Sequence, residues 1–299
     1  MSDPLSEVVT LLGPRNVFAK GISGAGRWAV RYAAFGSPGY CSVIEGSCRL
    51  AVDGEKPITL EAGDFLLLPK TPGFTMSSHE PGKPVLIDPQ RAAMAEGEVH
   101  HGDKNAPLNA RMLGGYFDFA SPDAGLLVSL LPGHIHIRDA ERLALIVRLV
   151  AEEANDQKAG RELALSRLIE VLLIEALRSA PSTGAPPGLL RGLGDARLAE
   201  AIREMHRDPS HAWSVEELAK KATLSRSGFF DRFSRLVGMP PMEYLLSWRM
   251  ALAKDLLRKG NESLAEIAER IGYGSASTFS TAFSKHVGQP PGRYARTPA

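Results

Sequence analysis

The last third of the chain contains an internal repeat, and this feature constrains the fold more than any other. Residues 215–244 align with residues 264–294 at an offset of 49 positions in the first half and 50 in the second, after one inserted residue. Agreement at this density indicates two copies of one structural unit. The matched positions include Ala219 with Ala268, Phe229 with Phe279, Phe233 with Phe283, Gly238 with Gly288, and Tyr244 with Tyr294.

Each copy is predicted to be two short helices joined by a tight turn. The first helix begins at a serine and carries a glutamate three residues later, which is the pattern of a capping box. The second begins at another serine, places phenylalanines at i and i+4 on its inner face, and ends at a glycine followed by prolines. This arrangement is typical of the helix-turn-helix unit, whose second helix fits the major groove of DNA. In chain order the positions are Ser214, Glu217, Ser225, Phe229, Phe233 and Gly238, and then Ser263, Glu266, Ser275, Phe279, Phe283 and Gly288.

Residues 239–259, between the copies, are predicted to form one long helix. At 1.5 Å per residue its length is roughly 30 Å, which can hold two recognition helices about one turn of DNA, roughly 34 Å, apart. Residues 195–299 carry 16 Lys and Arg against 12 Asp and Glu, a net charge of +4, whereas residues 1–194 carry 19 against 22, a net charge of −3. The basic C-terminal part therefore favours a polyanion as partner. A helical bundle without a role in DNA binding is the alternative.

The segments LSRSGFFDRF, VGMPPMEYLLSWRMALAKDLL and SLAEIAERIGYGSASTFSTAF resemble the AraC/XylS-type DNA-binding domain. The resemblance implies that one chain places two recognition helices in successive major-groove segments of double-stranded DNA. It also makes RNA polymerase a candidate partner. The residues that it places opposite the bases are Ser227, Gly228, Phe230 and Asp231 in the first copy and Ala276, Ser277, Ser280 and Thr281 in the second. Phosphate contacts are expected from Arg226, Arg232, Arg235, Arg249 and Lys285.

Two positions depart from the pattern of this family, in which Arg commonly stands where this chain has Asp231 and Thr281. Arg is the strongest base reader because it binds guanine through two hydrogen bonds. Asp231 could accept a hydrogen bond from the amino group of cytosine, or it could repel the phosphates. We therefore expect a modest intrinsic affinity, with sequence choice that depends on DNA shape and on contacts with thymine methyl groups.

Residues from about 17 to 137 are predicted to form antiparallel β structure, either a sandwich or a barrel. Short apolar runs at 28–35, 40–44, 49–52, 57–60 and 65–69 are separated by turn signals such as GSPG, EGS, VDGEK, EAGD and PKTPG. Turn signals at this spacing are typical of all-β domains. A long loop is predicted at 88–107, and a strand-like MLGGYFDF follows it.

Two helices are predicted after Asp139, because leucine, isoleucine and valine then recur at helical spacing. They are either a helical buttress for the β domain or a dimerisation hairpin. Residues 180–194, APSTGAPPGLLRGLG, are rich in Pro and Gly and predict a linker. The chain is thus predicted to be an α+β protein, with a β domain at 1–138, a helical hairpin at 139–180, a linker at 181–194 and an all-α DNA-binding domain at 195–299.

The β segment resembles the cupin-like sensor module of AraC-type regulators in IEGSCRL, LEAGDFLLLP and LGGYFDF. The resemblance implies an antiparallel cupin-like barrel that encloses a ligand or metal. Where related cupins place metal-binding histidines, this chain has Tyr40, Cys41 and Phe74, which we take as candidate pocket residues, and we expect neither metal nor cofactor. Histidines occur elsewhere, and ordinary surface or core positions are expected for them; they are His100, His101, His134 and His136.

Two kinds of signal are compatible with the residues of the β segment. Cys41 and Cys48 allow a redox switch, but seven residues of extended strand span roughly 23 Å, which is too far for a disulfide without a hairpin. Small-molecule sensing is the alternative. Two cysteines, no membrane-length apolar stretch and no secretory signal predict a cytoplasmic protein.

The sequence therefore predicts a homodimeric transcription regulator with no enzymatic activity and no membrane partner. Two enzymatic alternatives are disfavoured by the residues that they require. A cupin enzyme fused to a DNA-binding domain would need the missing histidine cluster. A repair methyltransferase fused to such a domain would need a cysteine in a proline-flanked acceptor motif, which the sequence lacks.

Overall fold

The structure is a computed structural model of the 299-residue chain that describes residues 3–94, 97–119, 128, 131, 133–156, 158–180 and 187–296. Its contacts form two compact units. The β unit contains residues 13–119 and 133–180, and the helical unit contains the first helix, α1 (Pro4–Leu12), and residues 187–296. None of the helices in these ranges combines the length and apolar character that crossing a lipid bilayer requires.

The β unit is a curled sheet of ten strands in the order β7-β2-β6-β3-β9-β1-β8, with β4 paired to β3 and β5 paired to both β3 and β10. Most pairs are antiparallel, whereas β1 with β8 and β2 with β7 are parallel. The inward side chains of the curled sheet form an apolar core that includes Trp28, Val43 and Leu50. The strands are β1 (Pro14–Ala25), β2 (Ala29–Tyr32), β3 (Gly39–Val52), β4 (Ile58–Glu61), β5 (Phe65–Leu68), β6 (Phe74–Ser77), β7 (Val85–Ile87), β8 (Val99–Gly102), β9 (Leu108–Phe119) and β10 (Ile135–Ile137).

Two local predictions for the β segment were wrong. The EGS signal does not end a strand, because β3 continues through it with a register shift between Val43 and Glu45. Gly46 has a φ of +71°, and a Cβ there would lie 2.1 Å from the carbonyl oxygen of Asn109, so only glycine fits this close approach. The predicted loop at 88–107 contains a helix, α2 (Pro89–Met94), and strand β8, whose pairing partner is distant in sequence.

The two helices predicted after Asp139 are confirmed as α3 (Glu141–Asn155) and α4 (Arg161–Ser179). They pack against each other and against β1. Their buried faces carry residues such as Val147 and Ile169. The hairpin is therefore a buttress for the sheet.

Residues 187–296 of the helical unit form eight further helices, and the long helix predicted at 239–259 is confirmed as α9 (Pro241–Lys259). The predicted linker differs from the structure at its second half, where residues 189–193 form α5, while residues 181–186 lie outside the described ranges. Gly192 lets the helix at 189–193 pack closely on its neighbours, because a Cβ there would lie 2.8 Å from Ile202 and Val237. The helices are α5 (Leu189–Leu193), α6 (Ala196–Arg207), α7 (Val215–Lys221), α8 (Arg226–Val237), α9 (Pro241–Lys259), α10 (Leu264–Arg270), α11 (Ala276–Val287) and α12 (Pro291–Tyr294).

Helix α1 folds with the helical unit, although its position in the sequence placed it in the predicted domain at 1–138. It contacts α6 and α9 and buries an apolar face that includes Val8. The side chain of Glu7 lies 2.8 Å from Nδ1 of His206, and Nε2 of His206 lies 2.7 Å from the hydroxyl of Tyr244. The His206 ring also stacks on Trp248 with centroids 3.9 Å apart. No local pattern in the sequence signals this buried polar chain.

Candidate nucleic-acid interface and sensor cavity

Both predicted capping boxes are present. In the first copy the Ser214 hydroxyl accepts a hydrogen bond from the backbone N–H of Glu217 at 3.2 Å, and the Glu217 carboxylate accepts one from the N–H of Ser214 at 2.8 Å. Ser263 and Glu266 form the same pair at 3.3 and 2.7 Å. The first helix of each copy, α7 and α10, therefore begins at the predicted residue.

The turns of the two copies have the same backbone geometry despite the inserted residue. Thr223 and Gly272 both adopt positive φ, at +54° and +81°. In each turn the N–H three residues after the last helical residue donates to the carbonyl five residues earlier in the chain. In the first copy this hydrogen bond runs from Leu224 to Ala219 at 2.9 Å. The equivalent bond in the second copy runs from Tyr273 to Ala268 at 2.8 Å. Both turns thus direct the following helix in the same way.

The recognition helices α8 and α11 also match. Ser225 and Ser275 cap their N-termini, and Gly238 and Gly288 end them in left-handed conformation with φ of +88° and +82°. On the inner face of each helix two fully buried phenylalanine rings lie 5.5 Å apart, and the second ring meets a tyrosine edge-on at 5.7 or 5.4 Å. These aromatic triads are Phe229, Phe233 and Tyr244 in the first copy and Phe279, Phe283 and Tyr294 in the second.

The outer faces of α8 and α11 carry the eight residues predicted to face bases. All eight lie off the buried face. Phe230 is 42% exposed, which is unusual for a large apolar ring and leaves it available to a partner. On α11 the four predicted residues are small and uncharged. The Thr281 hydroxyl among them donates to the Ser277 carbonyl at 3.1 Å. Contact with bases stays a prediction.

Two of the five predicted phosphate-binding residues are held by contacts within the helical unit. Arg232 donates from Nε and Nη2 to one carboxylate oxygen of Asp195, at 2.9 and 2.5 Å. Arg249 donates to the backbone carbonyls of Pro209 and His211, both at 2.7 Å, and burial lowers the pKa of its guanidinium. In the described part of the chain, the other three are exposed and have no ion-pair partner; they are Arg226, Arg235 and Lys285.

The β unit contains a cavity of about 110 Å³, and the three candidate pocket residues Tyr40, Cys41 and Phe74 all contribute to its lining. Alternate residues of β1 also line it, because successive side chains of a strand point to opposite faces. These are Phe18, Lys20 and Ile22. Lys20 was not among the predicted pocket residues, because its spacing of two from Phe18 and Ile22 places it on their face of a strand but does not show that this face lines a cavity.

The polar groups of the cavity wall are largely engaged or neutral. The Tyr40 hydroxyl donates to the Phe18 carbonyl at 3.1 Å, and burial raises the pKa of Tyr40. Burial likewise raises the pKa of the Cys41 thiol, and with the nearby Asp64 it raises the pKa of Cys48 to about 12. Since the thiolate is the reactive form, these buried thiols are poor nucleophiles near neutral pH. The environment of both cysteines therefore disfavours the redox hypothesis.

Two of the four histidines pair with separate carboxylates, whereas the Nε2 atoms of His100 and His101 are buried without a hydrogen-bond partner among the described residues. His134 Nδ1 lies 2.5 Å from a Glu55 carboxylate oxygen, and His136 Nε2 lies 2.7 Å from Asp64. His101 is buried, and desolvation together with the neighbouring His100 lowers its pKa to about 4. Within the described ranges no three His, Cys, Asp or Glu residues form a group that could hold a metal ion. The predictions of no metal and no cofactor stay predictions.

Comparison with known proteins identifies the family. A cupin family model matches residues 3–180, and a helix-turn-helix domain model matches residues 218–297. The chain is 36% identical over 305 aligned residues to a Streptomyces lividans protein described as an AraC-like transcription regulator, covering 99% of each. The chain belongs to the AraC-like transcription regulators. The predicted family and fold class are thereby confirmed.

Other relatives share this description. A Streptomyces antibioticus protein, also described as an AraC-like transcription regulator, is 36% identical over 99% of each chain. The regulator AlkR of Acinetobacter baylyi is 27% identical over 90% of this chain and 91% of its own. Among solved structures, the DNA-binding domain of AdpA in complex with a target DNA is 31% identical over 32% of this chain and 87% of its own, with a TM-score of 0.31.

Proposed function

We propose that this AraC-like regulator binds its operator through the outer faces of α8 and α11 and responds to a small molecule bound in the cavity of the β unit. The observation that carries the proposal is the repeated unit itself. Two recognition helices share the same caps, turn and aromatic triad, and both leave their outer faces exposed. A regulator of this kind works without catalysis, and its place of action is where the DNA is, in the cytoplasm.

The assignment of base-facing residues is tested at Asp231. We expect Asp231→Arg to change both the affinity and the sequence preference for the intergenic DNA upstream of the gene, because arginine can bind guanine through two hydrogen bonds. The matched control is Glu216→Arg, an equal change in charge at an exposed position on α7. Gel shifts with sequence variants of the site measure both. An equal response of the two variants would remove Asp231 from the base-facing set.

The phosphate contacts are tested by the salt dependence of binding. Each phosphate contact contributes about 0.9 to the slope of log K against log salt concentration. We therefore expect Arg226→Gln, Arg235→Gln and Lys285→Gln each to reduce the slope by about 0.9. Arg232→Gln serves as the comparison, because Asp195 already holds that guanidinium. A slope that stays constant in the first three variants contradicts the proposal.

We also propose that α3 and α4 form the interface of a homodimer. Leu145 and Leu149 lie one turn apart on α3 and are 58% and 43% exposed, and Leu163 and Val171 on α4 are 62% and 46% exposed. A second copy would bury these side chains, whereas the opposite faces already pack on the sheet. We expect Leu145→Glu with Leu149→Glu to give a monomer in sedimentation velocity. Leu86→Glu, at a 71% exposed position on β7, is the control that keeps the dimer.

RNA polymerase is a further proposed partner, for the case in which the regulator activates transcription. The test is transcription from the target promoter by purified polymerase with and without the regulator. A rise in transcript without a change in polymerase occupancy of other promoters supports direct contact. A transcript level that the regulator lowers or leaves unchanged contradicts this proposal.

A further inference from the structure

The size of the cavity limits its occupant to a small body. Its volume is about 110 Å³. An engineered apolar cavity of about 150 Å³ in another protein binds benzene. The cavity of the β unit therefore suits an apolar group no larger than about one six-membered ring, whose substituents would extend toward the opening of the cavity.

The walls of the cavity select for an apolar body. Two pairs of aromatic rings line it, Phe18 with Tyr116 at 4.8 Å and Tyr32 with Phe74 at 4.7 Å. The hydroxyl of Thr71, which also lines the cavity, donates to the carbonyl of Ser37, as that of Tyr40 does to Phe18. These two hydroxyls have no proton left to donate, so most hydroxyls of a polyhydroxylated ligand would lack a partner here, and each such loss is costly.

Among the described residues, the cavity wall carries a positive charge and no negative one. Lys20 is the one formally charged side chain among the lining residues, which include neither Asp nor Glu. The tyrosines and the thiol in the lining stay neutral, because burial raises the pKa of Tyr32 to about 12 and raises that of Cys41. Lys20 lies on the same face of β1 as Phe18 and Ile22, and no described residue forms an ion pair with it. An ammonium group beside an apolar wall attracts an anion and repels a cation.

We infer that the cavity binds a small amphiphilic anion, an apolar body about the size of one six-membered ring that carries a single negative charge paired with Lys20. This inference rests on the proposed function, since it names the chemical class of the effector. It assigns the aromatic pairs to the body of the ligand and Lys20 to its charged group. It excludes sugars, by their hydroxyls, and amines, by their charge.

Three probes of equal ring size test the charge preference: benzoate, benzyl alcohol and benzylamine. Binding to the full chain is measured by isothermal titration calorimetry. We expect benzoate to bind about tenfold more tightly than benzyl alcohol, because only its carboxylate forms an ion pair with Lys20, and benzylamine to bind least because its ammonium is repelled. Equal affinities for benzoate and benzylamine, or no binding of any probe at millimolar concentration, would overturn the inference.

Three variants locate the site. Lys20→Met is expected to abolish the preference for benzoate over benzyl alcohol while leaving the affinity for benzyl alcohol within about twofold. Lys70→Met, at an exposed position of the same unit outside the lining, should keep the preference. Met76→Trp fills the cavity and should abolish binding of all three probes. If Met76→Trp unfolds the chain, the Lys20 and Lys70 pair still decides the question.

The outcome separates this inference from the proposed function. Operator binding without any probe reports the DNA-binding surface of α8 and α11 alone. Probe binding without DNA reports the cavity alone. Absence of the charge preference in the unmodified chain, with intact operator binding, overturns the inference and leaves the DNA-binding function standing. Intact probe binding without operator binding does the reverse.

Discussion

The buried histidine of the helical unit makes its stability depend on pH. The His206 side chain is fully buried, and the groups that face it are Glu7 of α1, Asp3 just before that helix, and Tyr244 of α9. Burial lowers the pKa of His206, and the two carboxylates offset only part of this effect. The neutral ring donates from Nδ1 to the Glu7 carboxylate and accepts the Tyr244 hydroxyl at Nε2. We therefore expect acid to unfold this unit.

Proton linkage gives the direction and the magnitude of the change in unfolding free energy with pH. The unfolded chain holds the ordinary histidine pKa of 6.5, and the folded chain holds a lower one. The unfolded state thus binds more protons below pH 6.5, so the stability is complete above that value and falls as the pH decreases toward the folded-state pKa. The loss approaches about 1.4 kcal/mol for each pH unit in this window. At pH 5.5 it is therefore at most about 1.4 kcal/mol, which lowers the urea midpoint by at most roughly 0.5–1.4 M.

The assay is urea denaturation of the full chain at several pH values, followed by tryptophan fluorescence. Trp248 reports the helical unit because its ring stacks on His206. His206→Gln should remove most of the pH dependence of this transition. His101→Gln is the control, because His101 lies in the β unit and its pKa is lowered to about 4. An unchanged pH dependence in His206→Gln would refute the reasoning.

Three further predictions concern the helical unit. Thr223→Gly should raise the stability of the unit by about 0.5–1 kcal/mol in urea denaturation, because a β-branched residue strains a left-handed turn. Gly272→Ala should lower the stability in the same assay, because the new Cβ would lie 2.5 Å from a backbone oxygen. Phe279→Ala should cost about 3–5 kcal/mol and weaken operator binding, and circular dichroism with gel shifts measures both. Asp195→Ser keeps an N-cap but frees Arg232, so the salt slope of operator binding should steepen by about 0.9; an unchanged slope would place that guanidinium away from the phosphates.

The helix-turn-helix units could be predicted to the residue because their signals are local. A serine and a glutamate three residues apart, or a glycine before prolines, act within one turn of helix. The pairing of Ser214 with Glu217 and the left-handed Gly238 therefore follow from the sequence alone. The same holds for α3 and α4, whose apolar spacing is helical throughout.

The missed features depend on partners far away in the chain. Strand β8 is short and reads Val-His-His-Gly, and it becomes a strand only because β1 pairs with it. The use of Arg232 by Asp195, 37 residues away, could not be read from its position on the recognition helix. The cavity was predicted only in part. Tyr40, Cys41 and Phe74 were found through a resemblance, whereas the lysine beside them required the register of β1.

The placement of α1 in the helical unit has a consequence for how the protein is made. Helix α1 is synthesised before the helices that cover its apolar face, α6 and α9, which end at residues 207 and 259. At about 5–20 residues per second, roughly 10–50 s pass between the synthesis of Leu12 and that of Lys259. During that interval Leu5, Val8 and their neighbours have no native partner. The apolar face of α1 is thus exposed in the nascent chain until α6 and α9 have been made, and a DNA-binding fragment that starts at residue 187 would expose the matching surface permanently.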